Sequence, residues 1–105
     1  MGRLLERRPQ LDAVFAASDL MAVGALRTLT EAGRQVPDDI AIVGYDDDPI
    51  AASATPPLTT VRQPIEEMGR EMARLLLAPV DAPRRVILTT ELEVRRSSGR
   101  DGEAE

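Results

Sequence analysis

The apolar positions change period several times along the chain, and each change marks an element. Leu4 to Gln10 is helix-like in composition and stops at Pro9, as the end of one element. Ala13-Val14-Phe15-Ala16-Ala17 is a short continuous apolar run, the pattern of a strand buried on both faces of a parallel sheet. Ser18 and Asp19 follow at once, and both are good N-cap residues. They predict a helix from about Leu20 to Ala32, with Gly33 at the C′ position. From Leu20 to Leu26 this helix is apolar on every side, so a second layer or another subunit is expected over its outer face. A turn at Val36-Pro37-Asp38-Asp39 leads to Ile40–Tyr45, the second buried strand. Strand, helix, short loop and strand make a βαβ unit, which implies a right-handed crossover and a parallel sheet.

The second half is more broken. Ile50 to Thr55 is rich in small residues and predicts one short helix, ended by Pro56-Pro57. Leu58 to Arg62 fits a short strand or an extended crossing segment. Pro64 suits the first turn of a helix. Ile65, Met68, Gly69, Met72, Leu75 and Leu76 then repeat at helical spacing opposite Glu66, Glu67, Arg70, Glu71 and Arg74, which predicts an amphipathic helix over Ile65–Leu77. Pro79 to Pro83 is a loop, Val86 to Leu88 a strand, and Thr90 to Arg95 a strand with one wet face, its apolar side carrying Leu92 and Val94. Ser97 to Glu105 gives a polar tail without a packing motive. Two substantial helices serve four or five short strands, too few to cover both faces of a sheet. The expected fold class is therefore α/β, a partial doubly wound parallel sheet.

Composition removes whole classes of chemistry. The chain has no cysteine and no histidine, so disulfides, thiolate sites and the commonest general base and transition-metal ligand are all missing. Aromatics are limited to Phe15 and Tyr45, which leaves an aliphatic core. Net charge is −5, and the basic pairs Arg7-Arg8, Arg84-Arg85 and Arg95-Arg96 read as solvated surface, so direct DNA binding is not expected. No apolar run approaches the length of a membrane span, and Met1 to Arg8 lacks a signal-peptide core; a cytoplasmic protein is expected.

In open parallel sheets, ligands bind beyond the carboxyl ends of the strands. Two loops lie there, Ser18-Asp19 and Asp46-Asp47-Asp48. Carboxylates accept several hydrogen bonds, and such a mouth suits a hydroxyl-rich ligand such as a sugar. The plainer alternatives are a helix cap at Ser18 or Asp19 and a solvated turn, or a Mg²⁺ or Ca²⁺ site, at Asp46–Asp48. Gly44 is isolated, and no phosphate-binding loop accompanies the strands. No catalytic residue, cofactor or metal site is expected, so the chain is read as a non-enzyme.

The ordered series SDLMAVGAL, VPDDIAIVGYDD and PPLTTVRQP, with the helix IEEMGREMARLLL and the closing TTELEVRRS, resembles the LacI/GalR family of transcriptional regulators. The resemblance implies the C-terminal part of a periplasmic-binding-protein-like (type I) effector domain, in which ligand lies between two α/β subdomains. Residues 1–96 belong to it: about 11–57 and 90–96 in the C-terminal subdomain, and about 58–89 as elements of the N-terminal one. Residues 97–105 are the disordered tail. It further implies that Ser18, Asp19 and Asp46 lie at or beside the ligand, with Asp46 gripping its hydroxyls; position 18 is more often Asn in the family. Leu20, Met21, Ala22, Ala25, Leu26, Ile50 and Ser53 match its dimer-forming surface. The implied partners are a sugar-like effector, a second copy in the parent protein, and operator DNA through a headpiece missing from this chain. By itself the chain is expected neither to bind operator nor to hold effector tightly. The rivals are a sugar-binding protein of a transporter, which shares the fold, and an enzyme using Mg²⁺ at Asp46–Asp48.

Overall fold

The computed structural model describes residues 1–79 and 84–99. In chain order these form α1 (Gly2–Arg7), β1 (Ala13–Phe15), α2 (Asp19–Glu31), β2 (Ala41–Asp46) and α3 (Pro49–Ser53), then β3 (Thr59–Arg62), α4 (Ile65–Leu77), β4 (Glu91–Glu93) and a 3-10 turn at Arg96–Ser98. The four strands make one sheet in the order β1-β2-β3-β4. β1, β2 and β3 run parallel, with Val14 opposite Ile42 and Gly44 opposite Thr60, whereas β4 returns antiparallel to β3 with Leu92 opposite Val61. The βαβ unit predicted from the apolar runs is present. The third parallel strand is Thr59–Arg62, so of the two expectations for Leu58 to Arg62 this segment forms the strand, paired with β2.

One face of the sheet carries the core. Ile42 and Gly44 point toward α2, and Ala22, Ala25, Leu26 and Leu29 of that helix meet them, with Ile40, Ala51 and Leu58 closing the edges. This corrects the interface expected on α2: Ala22, Ala25 and Leu26 are buried inside the chain, and only Leu20 (68% exposed) and Met21 (61%) face outward. A helix that is apolar on all sides does not tell which side turns inward; the small residues Ala22 and Ala25 do so because they let the helix approach the sheet closely. The opposite face holds Phe15, Val43, Tyr45, Val61 and Leu92, of which Phe15 and Leu92 are well exposed. A doubly wound sheet needs a layer here, and among the described residues no helix packs across it.

Three further expectations change. Val86–Leu88 forms no strand and pairs with none among the described residues. In β4 the apolar side is the exposed one, because Leu92 lies on the uncovered face while Glu93 turns toward Arg62. Ser97 is not tail: it is buried, donating from Oγ to the Ile42 carbonyl at 2.6 Å and accepting from the Thr59 N–H at 2.8 Å. Ser98 Oγ lies 2.6 Å from Thr59 Oγ1. The remainder of that tail, residues 100–105, and residues 80–83 of the Pro79–Pro83 loop lie outside the described residues.

α4 forms over its predicted span, yet it has no buried residue, and Leu76 and Leu77 are each 83% exposed. The radius of gyration is 17.4 Å, against about 13 Å for a compact chain of this size. Among the described residues, an arm of α4 and residues 84–90 therefore stands off the sheet. No helix of the described residues is long and apolar enough to cross a membrane.

Candidate functional site

The carboxyl ends of β1, β2 and β3 reach a common edge and continue into Ser18-Asp19, Asp46-Asp47-Asp48 and Gln63-Pro64. Ser18 is the N-cap of α2: its Oγ accepts the Met21 N–H at 3.2 Å. The hydroxyl proton is left to donate elsewhere.

Asp19 has a different task from the one expected. It is 1% exposed, and its two carboxylate oxygens are taken: Oδ1 accepts from the Thr60 hydroxyl at 2.6 Å and Oδ2 from the Asp48 N–H at 2.8 Å. Thr60 Oγ1 in turn accepts the Asp47 N–H at 3.2 Å. Its place in the first turn of α2 adds the favourable field of the helix N-terminus. Asp19 thus holds the β2–α3 loop to β3 from inside and is not presented to a ligand. Gly44 makes this possible, since a Cβ there would overlap Asp19 Oδ1.

The three aspartates after β2 serve three separate partners. Asp48 caps α3 through the Ile50 N–H at 3.0 Å. Asp47 binds two guanidinium groups: Oδ2 takes Arg62 Nε and Nη2, both at 2.8 Å, and Oδ1 takes Arg95 Nη2 at 3.0 Å. Asp46 is exposed and, among the described residues, its side chain accepts only the Gln63 Nε2 amide, at 2.7 Å on Oδ1. Asp46 and Asp47 have φ of 116° and 54°, left-handed values uncommon for residues other than glycine, and the turn they make fans the side chains apart. Among the described residues no three carboxylates converge as a metal ion would require.

Burial pushes the Asp47 carboxyl up, but the hydrogen bonds and charges of Arg62 and Arg95 outweigh it and hold the group below its ordinary value. A carboxyl lowered on folding adds stability above its unfolded value and loses it as pH falls through the native one. Asp47→Asn is therefore expected to cost about 1–2 kcal/mol at neutral pH. The wild-type advantage in thermal midpoint should shrink only below about pH 4. A gap between the two proteins that is the same at pH 7 and pH 2.5 would contradict this.

A family model described as "Periplasmic binding protein-like domain" matches residues 1–98. The HTH-type transcriptional regulator CelR of Thermobifida fusca is 55% identical over 92% of this chain and 30% of its own length. A structure of the transcriptional regulator CelR–cellobiose complex superposes with a TM-score of 0.88 at 54% identity, covering 92% of this chain and 31% of the other. A LacI family transcriptional regulator from Lactobacillus casei with bound sucrose gives a TM-score of 0.69 at 43% identity, over 83% of this chain and 33% of that one.

This chain belongs to the LacI/GalR effector-binding domains.

It spans about a third or less of the length of these LacI/GalR relatives. Within the LacI/GalR fold the structure brings Ser18, Asp19 and Asp46 to one sheet edge, but turns only Ser18 and Asp46 outward. Of the residues matched to the dimer surface, Leu20, Met21 and Ser53 are exposed and Ile50 is half-buried. Beside the edge, Tyr45, Gln63, Pro64, Met68, Met72, Leu75 and Leu88 line a groove of about 330 Å³. A larger hollow of about 510 Å³ follows the charged side of α4, where one helix and its entry make all the walls; it has no converging groups.

Sequence reasoning missed Thr60, Arg62, Gln63 and Arg95. Arg62 and Gln63 lie in the quoted PPLTTVRQP run and were legible there as polar residues at a strand end. Nothing local pairs Arg95 with Asp47.

Proposed function

We propose that this chain forms one wall of a sugar-binding cleft in a LacI/GalR-type transcriptional regulator, with Asp46 as the carboxylate that accepts sugar hydroxyls. The observation that carries the reading is the division of labour at the sheet edge. Asp19 and Asp47 are taken up by the fold and exposed Asp48 caps α3, whereas exposed Asp46 meets only a side-chain amide, that of Gln63, among the described residues. Gln63 orients it, and Ser18 adds a hydroxyl donor on the neighbouring strand. The bound cellobiose and sucrose of the two relatives support a disaccharide as the ligand class. A regulator relative at 55% identity favours this over a transporter's binding protein or an enzyme. In the proposed whole regulator, operator DNA is read outside this acidic wall, and Leu20, Met21, Ile50 and Ser53 face a second copy in the cytoplasm.

Saturation-transfer NMR of the chain with cellobiose tests the proposal. Signal transfer is expected at millimolar sugar. Asp46→Ala should weaken it about tenfold or more, the effect of losing a charge-assisted hydrogen bond of about 1.5–3 kcal/mol. Equal transfer to wild type and Asp46→Ala would remove Asp46 from the site.

A further inference from the structure

The α4 arm raises a physical question: what fixes its direction? α4 has no buried residue, and none of the principal packing between elements involves it. The arm leaves the sheet after Arg62 and returns at Glu91, and those two residues lie opposite each other in the β3–β4 ladder. Its placement therefore depends on how these two connections are held.

One side chain bridges the two strands that flank the arm. Asp47 takes Arg62 at the end of β3 and Arg95 two residues past the end of β4. Its side chain is only 10% exposed, and Arg62 grips it with two N–H groups, a shielded and multiply bonded arrangement unlike a simple surface pair. Both guanidiniums are tied further: Arg62 Nη1 reaches Glu93 at 3.2 Å, and Arg95 Nη1 donates to the Leu58 carbonyl at 3.0 Å. Asp47 is itself anchored, since its N–H bonds Thr60 Oγ1, the hydroxyl that donates to buried Asp19. The chain of contacts runs from the core to the end of β3 and to the segment after β4.

We infer that Asp47 is a positioning residue, a clamp that ties the end of β3 and the segment after β4 to the β2–α3 loop, holds the strand pair from which the α4 arm departs, and so sets where the arm stands relative to the sheet. The claim concerns the chain without sugar, so its test is separate from that of the binding site.

The chain has no cysteine, so a spin-label pair can be placed by Arg27→Cys on α2 and Arg70→Cys on α4, both exposed positions. Pulsed electron resonance then reads the distribution of distances between sheet unit and arm. In the Asp47 background a narrow distribution is expected. Asp47→Asn should broaden and shift it, and so should Arg95→Met. Asp48→Asn removes the same charge one residue away and should leave it unchanged. A distribution in Asp47→Asn that matches wild type, with native circular dichroism, overturns the clamp. Should Asp47→Asn fail to fold, Arg62→Met carries the same test, because Arg62 is half exposed and outside the core; an unchanged distribution there overturns the clamp equally.

Discussion

Gly44→Ala is expected to destabilise the chain by on the order of 3–5 kcal/mol, enough to unfold a marginal domain at room temperature. The added Cβ would overlap Asp19 Oδ1 and sit 2.9 Å from Leu58 Cδ2 and 3.4 Å from Ala22 Cβ. None of these can withdraw. Leu58 and Ala22 are fully buried, and Asp19 is held by two hydrogen bonds that moving it would break. Steric cost and lost hydrogen bonds therefore add. Urea unfolding followed by circular dichroism measures the effect, and a midpoint equal to wild type would mean that α2 does not approach β2 as closely as described.

Asp19→Ala is expected to cost about 3 kcal/mol. It leaves the Asp48 N–H and the Thr60 hydroxyl without their acceptor, at about 1–3 kcal/mol for each unpaired group, and removes a charge that favours the helix N-terminus. Thr60 can turn its proton, so the full sum is not reached. Asp19→Asn should lose roughly half as much, since its amide oxygen still accepts one of the two bonds. Because Gly44 and Asp19 meet, the double variant Gly44→Ala/Asp19→Ala should lose less than the two single losses combined. A role at the ligand predicts another pattern, with sugar binding abolished and the unfolding midpoint unmoved in Asp19→Asn. That pattern would return Asp19 to the binding surface.

The β1–α2–β2 unit was legible because each of its signals is local: an apolar run, an N-cap pair, Gly33 and a second apolar run. What the pattern left open was direction. Leu20 and Ala22 are both apolar, and packing distance to the sheet decides that Ala22 goes in. Asp19 has the composition of a surface cap, yet it is buried because Thr60 and Asp48 supply donors from distant parts of the chain. Asp46, Asp47 and Asp48 are chemically identical, and their roles separate only through left-handed backbone angles and through Gln63, Arg62 and Arg95. Ser97 looked like tail since small polar residues carry no hydrophobic signal; buried hydrogen bonds to Thr59 and Ile42 hold it. Val86–Leu88 had strand composition but no neighbouring strand to pair with.

The central claim is that sugar meets this chain at Asp46, on the outward side of an edge built from within by Asp19. Amide-resolved ¹H–¹⁵N NMR during cellobiose titration tests it most directly. The account predicts that the backbone amides of Ser18 and Asp46 and the side-chain amide of Gln63 move together along one binding curve. Shifts confined to the charged side of α4, at Glu66, Glu67 and Arg70, with Ser18, Asp46 and Gln63 stationary, would contradict it.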